Sequence, residues 1–181
     1  MLKYRLIFGT LMTIAFIGIV LLNGYFDGYL TGSPAYDKPF RGTLVVILVA
    51  VLMVPALFEL SKLAGAKGVK ILLPCSLPAA VLVSTSYYWP FFVFTFDIFT
   101  LFLAFTLMAC FLYQRVQYGL SGVFANCGAA CFSIIYLGLL GAFAPATYVD
   151  FGPWHLLMLI FVVKCSDIGA YTAGRLFGKH K

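Results

Sequence analysis

Charge is what this chain has least of. Only 10% of its 181 residues are Asp, Glu, Lys or Arg, against roughly 25% in soluble domains. With 63% hydrophobic residues and a mean hydropathy of +1.03, it holds more apolar surface than a soluble core of this size could bury. A water-soluble domain is thereby excluded, leaving an integral membrane protein. The chain contains no Gly-x-Ser-x-Gly, no phosphate-cradling P-loop and no His-Glu-x-x-His, so hydrolase, NTPase and zinc-protease readings have no support. The five cysteines, Cys75, Cys110, Cys127, Cys131 and Cys165, are odd in number and not spaced as a disulfide framework. Cys127 and Cys131 would share a helix face, but no His or acid joins them, which favours packing over metal binding. No soluble domain, low-complexity tract or convincing internal repeat is present. The net charge of +6 lacks the aromatic-interleaved basic patch of a nucleic-acid binder, and membrane topology explains it instead.

What remains is hydrocarbon in helix-length runs. A helix needs about 20 apolar residues to cross a bilayer, and six segments qualify or nearly do: Leu6–Leu22, Gly42–Leu60, Val69–Thr85, Phe91–Tyr113, Gly122–Ala144 and Trp154–Tyr171. The third is weakest because Pro74 and Pro78 interrupt it. The first has the look of a secretory signal, but no small-residue cleavage site follows it, so a retained helix is expected. The expected fold is thus an all-α, polytopic bundle of about six helices. The 19 Phe and 11 Tyr suit lipid-facing and interfacial positions. The connection from Asn23 to Phe40 reads as an ordered extracytoplasmic loop or a short interfacial helix, and Pro145–Pro153 reads as an outer loop. Lys3 and Arg5 put the N-terminus inside. Of the twelve Lys and Arg, only Lys38 and Arg41 then fall outside, which predicts six crossings with both termini cytoplasmic. If the third segment does not span, everything after it inverts.

The residues that could carry chemistry concentrate in Lys164–Lys181. Asp167 enters an otherwise apolar run, and an ionisable group there is a functional hypothesis by default. Lys164, three residues before it, and Tyr171, four after, share its face. A Lys–Asp pair that lowers the burial cost of both is one reading; a ligand for a hard cation such as Mg²⁺ is the other. Ala170, Gly174 and Gly178 form a small-residue ridge that lets helices approach closely and implies a partner helix, with a homodimer one way to supply it. Arg175, Lys179, His180 and Lys181 follow. Taken singly these charges obey the positive-inside rule; together they suit a phosphate group at the membrane surface. One acid with several bases is what metal-assisted phosphoryl-type transfer needs. Asp97 and a Glu59–Lys62 pair are expected to be structural, and His155 interfacial.

Ser166-Asp167-Ile168-Gly169-Ala170-Tyr171, followed by Gly174-Arg175-Leu176-Phe177-Gly178-Lys179-His180-Lys181, resembles the middle motif of bacterial phosphatidate cytidylyltransferases (CDP-diacylglycerol synthases). The opening Met-Leu-Lys-x-Arg, Glu59, and Tyr136-Leu137-Gly138 are similar too. Ile168 stands where Thr is usual, and small or apolar residues are commoner where Lys164-Cys165 precede the motif. The resemblance implies that CTP and phosphatidate give CDP-diacylglycerol and pyrophosphate at the inner (plasma) membrane. It implies that Asp167 lies near an Mg²⁺ ion and the phosphates, with Lys179 and Lys181 on phosphate and His180 alongside. Ser166 and Tyr171 would be polar neighbours. Family members continue into a Ser-Pro-Lys-Lys-Thr segment and a late Lys-Asp signature that this sequence lacks. The expectation is therefore an N-terminal portion, truncated at the C-terminus and inactive alone. Three other readings stay open: a transporter with Asp167 as ion ligand, a non-catalytic membrane scaffold, and a CTP-using polyprenol or dolichol kinase.

Overall fold

The computed structural model describes the backbone of residues 2–30, 41–88 and 96–177, and side chains within 9–30, 41–88 and 100–175. Six helices account for nearly all of it: α1 (Leu2–Phe26), α2 (Thr43–Gly65), α3 (Leu73–Ser84), α4 (Phe96–Tyr118), α5 (Val123–Phe151) and α6 (Pro153–Phe177). No strand occurs among the described residues. All but α3 are long and apolar enough to cross a membrane. The all-α, polytopic expectation holds.

Most boundaries fall a few residues beyond those read from hydropathy, because polar and aromatic residues at the helix ends keep the hydrogen-bond ladder going after the apolar run stops. The largest correction concerns the outer loop expected at Pro145–Pro153. Pro145 lies inside α5, and the connection to α6 shrinks to Gly152, whose φ of +87° makes the bend. Proline removes one ladder bond, but here its ring is fully buried in the bundle. Part of α5, Ile134–Leu139, is π-helical, a single-turn widening of the kind often found at functional sites.

The third segment is a 12-residue helix, about 18 Å long, and thus too short alone for a hydrocarbon core of roughly 30 Å. It nevertheless passes from one end of the bundle to the other. Before it, the Lys70 backbone N–H donates to Asn126 Oδ1 (2.8 Å) at the start of α5. After it, the Ser86–Tyr88 3₁₀ turn places the Tyr88 hydroxyl 3.1 Å from Thr43 Oγ1 at the start of α2. Neighbouring helices therefore alternate in direction throughout. One end collects Lys62, Lys67, Lys70 and Arg115, all exposed; it is called the lysine end below. The other holds Asp27 and Arg41. The expected inversion after a failed third segment does not arise.

Three small clusters form the interior. Val20, Val45, Tyr148 and Leu156 pack near the Asp27 end, Ala79, Val83 and Ile134 in the middle, and Leu72, Cys110, Cys127 and Ala130 near the lysine end. Small residues set the closest approach, between α3 and the π-helical turn of α5. A Cβ on Gly138 would meet the Ala80 Cα and carbonyl oxygen at 3.1 Å, and backbone cannot move aside as a side chain can. Gly138→Leu is expected to cost about 3 kcal/mol, at the upper end of overpacking penalties. Thermal unfolding in detergent should show a lowered midpoint. An unchanged midpoint would mean that the α3–α5 contact is looser than described.

Candidate functional site

The sequence directs attention to α6. Its first turns are anchored: Leu156 is fully buried, with Leu157 and Ile160 against the same cluster. From Phe161 to Arg175 every residue is exposed. The motif therefore rides on a half-helix that no described element packs against. Asp167 lies 14 residues after Pro153, about 21 Å along the helix axis, and the helix, whose end the apolar run does not fix, continues to Phe177.

Helical spacing brings Lys164, Asp167, Tyr171 and Arg175 to one face. Ser166 projects about 100° away from Asp167, so the structure does not bring it to the same face. No ion pair joins Lys164 to Asp167, nor Glu59 to Lys62, among the described residues; all four residues are exposed. Thr172 turns back to its own helix, donating to the Ile168 carbonyl at 2.9 Å. Gly178, Lys179, His180 and Lys181 lie outside the described residues, as does the Asp97 side chain. His155 is exposed, with Nδ1 2.6 Å from the Phe151 carbonyl oxygen and its ring tilted against Phe151. The small-residue ridge at Ala170 and Gly174 is exposed, with no described helix against it.

Asp167 fits a hard divalent cation in one respect. It is exposed and has no hydrogen bond or ion pair among the described residues. Mg²⁺ is commonly held by one or two carboxylates plus substrate phosphates and water, so one carboxylate suffices on the protein side. No group of three or more His, Cys, Asp or Glu among the described residues could hold a metal ion on protein atoms alone.

Two polar clusters were not anticipated from sequence, and both hold the scaffold rather than the motif. At the Asp27 end, Asp27 Oδ2 accepts from Asn23 Nδ2 (3.0 Å), the Gly42 N–H (2.9 Å) and the Tyr148 hydroxyl (2.9 Å). Asn23 Oδ1 accepts from the Leu44 N–H (3.0 Å). The end of α1 thus caps the start of α2, satisfying N–H groups that a helix leaves open. The φ of +80° at Gly42 turns its N–H toward Asp27 at a position where a Cβ would press on the Tyr148 ring. Nearby, Tyr87 donates to Asp150, and that acceptor, with its negative charge, raises the phenol above its ordinary range. At the lysine end, Asn126 Nδ2 donates to Gln114 Oε1 (3.1 Å), and Gln114 Nε2 donates to the Ser121 carbonyl (3.1 Å). Lys70 Nζ sits 4.3 Å from the Tyr118 ring centroid, a cation–π contact. The one available signal for the first cluster was the Asn23–Asp27 spacing of four at the end of an apolar helix. Nothing local pointed to Tyr148.

No curated protein and no solved structure matches this chain. Matching a model of the cytidylyltransferase family, the family of phosphatidate cytidylyltransferases, over residues 3–181, the chain belongs to that family.

Proposed function

We propose that the protein transfers the cytidylyl group of CTP to phosphatidate, giving CDP-diacylglycerol and pyrophosphate in phospholipid biosynthesis. The observation that carries this reading is the placement of Asp167, Tyr171 and Arg175 on one exposed face of α6, in a membrane-spanning cytidylyltransferase-family chain. α6 runs toward the lysine end of the bundle. Positive charge gathers on cytoplasmic loops, which supports placing that end and both termini in the cytoplasm, at the inner membrane. CTP is dissolved there, and phosphatidate offers its headgroup at the same surface.

In this reading a phosphatidate oxygen attacks the α-phosphorus of CTP. A P–O bond forms as the bond to the β-phosphate oxygen breaks, and pyrophosphate leaves. Arg175, with Lys179 and Lys181, binds and orients phosphate oxygens, and the fixed cations offset the charge that builds on them. Tyr171 and His180 are hydrogen-bonding neighbours, and Ser166 serves the adjacent face. Asp167 would hold an Mg²⁺ ion, which supplies charge neutralisation of the transferring group when bound. The exposed half of α6 supports the need for a further covering element, a second copy of the chain included, and the expectation that residues 1–181 do not turn over alone.

The test starts from the gene. The message is reverse-transcribed and read through the codon for Lys181, and the full reading frame is expressed in membranes. CTP-dependent conversion of phosphatidate to CDP-diacylglycerol, with pyrophosphate release, is the expected result. A CTP-dependent phosphorylated polyprenol, or ion flux without either product, would replace this reading with the kinase or transporter alternative.

A further inference from the structure

Two features on the α4–α5 side of the bundle take no part in the proposed reaction. The first is an apolar groove at mid-bundle. One stretch of it lies between Leu103 and Leu107 of α4 and Cys131 and Ile135 of α5. The next shares Leu103 and Ile135 and reaches Val83 of α3 and Leu139 of α5, so that the π-helical turn forms its α5 wall. Leu107, Ile135 and Leu139 are exposed, which opens the groove toward the bilayer. Thr106, at its edge, donates to the Phe102 carbonyl of its own helix (2.8 Å). The second feature is a pair of cations at the lysine end. Tyr118 follows Leu107 by eleven residues, three turns and about 20°, so the two share one stripe of α4. Lys70 Nζ lies 4.3 Å from the Tyr118 ring centroid, and the Lys70 backbone is tied down by Asn126. Arg115, three residues before Tyr118, is its neighbour on the helix surface. Lys70 and Arg115 are exposed, and neither forms an ion pair among the described residues. From Tyr118 to Leu107 is about 17 Å along the axis, against about 15 Å of hydrocarbon in one leaflet.

We propose that this side binds one anionic phospholipid from the leaflet at the lysine end, with its phosphate on Lys70 and Arg115 and one acyl chain laid along α4 into the groove. Charge selects the class of lipid, because Lys and Arg at a membrane surface attract anionic headgroups. Tyr118 suits the headgroup level, where Tyr is enriched. Depth selects a lipid over a soluble phosphate: only a molecule carrying a chain about one leaflet long reaches both features. An empty groove leaves its lining short of contacts, and the chain supplies them. The residues come from α4, α5 and the approach to α3, not from α6, so this binding does not depend on the proposed reaction.

The test uses the purified full chain in detergent and phosphatidylglycerol carrying a diazirine near the end of one acyl chain. Phosphatidylglycerol is neither substrate nor product of the proposed reaction, so failure here leaves that reading standing. Irradiation should label the peptides that hold Leu103–Leu107 and Cys131–Leu139. Unlabelled phosphatidylglycerol should suppress the labelling at about a tenfold or more lower concentration than phosphatidylcholine, the scale of two cations at a membrane surface. Glycerol phosphate, which lacks the chain, should not compete. Lys70→Gln combined with Arg115→Gln should bring the two lipids to equal effect. Labelling spread over other helices, equal competition by phosphatidylcholine on the wild-type chain, or competition by glycerol phosphate would overturn the proposal. The wild-type map and competition decide the matter even if the double variant fails to fold.

Discussion

Asp167→Asn, made in the full reading frame, is expected to lower CTP-dependent formation of CDP-diacylglycerol by about a hundredfold or more, the scale of losing one group that stabilises charge in a transition state. The bundle should be untouched. Asp167 is exposed and has no partner among the described residues, and substitutions at such positions usually change stability by less than about 0.5 kcal/mol. The two readouts separate the hypotheses. Activity lost with an unchanged unfolding midpoint places Asp167 in the chemistry. Activity retained would make it a surface charge on a membrane helix, and the catalytic reading of α6 would fall with it. Arg175→Ala serves as a graded companion: a phosphate-orienting cation should raise the CTP concentration needed for half-maximal rate.

The second large effect lies at the opposite end of the molecule and concerns stability. Asp27→Ala removes the oxygen that takes hydrogen bonds from Asn23, Gly42 and Tyr148. Asn23, Asp27 and Tyr148 are each at most 6% exposed, so water cannot readily replace the lost acceptor. Leaving buried donors unsatisfied costs about 1–3 kcal/mol each, and the expected loss is about 3 kcal/mol or more. The unfolding midpoint in detergent should fall sharply, and the α1–α2 connection should become sensitive to protease. Asp27→Asn keeps an acceptor oxygen and should cost less. Lys67→Ala, on an exposed loop, should change almost nothing. Equal midpoints for Asp27→Ala and Lys67→Ala would show that the cap does not hold α1 to α2.

These two residues divide what could be read in advance from what could not. Asp167 stands out in sequence because an acid in an apolar run is rare and costly, so its mere presence is informative. Asp27 does not, because it lies in a polar connection where acids are ordinary. Only the return of α5 brings Tyr148, 121 residues away, against it. The thiols behave the same way. Cys127 and Cys131 share a face by spacing alone, but nothing local predicts that Cys110 and Cys127 pack in one cluster, since they lie on different helices. The third segment shows the limit of hydropathy most clearly. Its prolines and short apolar run left its crossing undecided, and its direction follows from Lys70 meeting Asn126 at one end and Tyr88 meeting Thr43 at the other.

Sequence by itself determined the solvent, the class of fold, the family and the stretch of chain to suspect. Those depend on composition, on helix-length apolar runs and on the residue order of one motif, all of which are local. Tertiary structure alone decided that α3 completes a crossing, that Asn23 and Asp27 cap α2, and that Gly138 lies against the Ala80 backbone. It also decided that the motif half of α6 stands exposed beyond the packed bundle. The first three are contacts between residues apart in the chain, and the last is the lack of one among the described residues. Such contacts are set by which faces pack together, and hydropathy does not encode that.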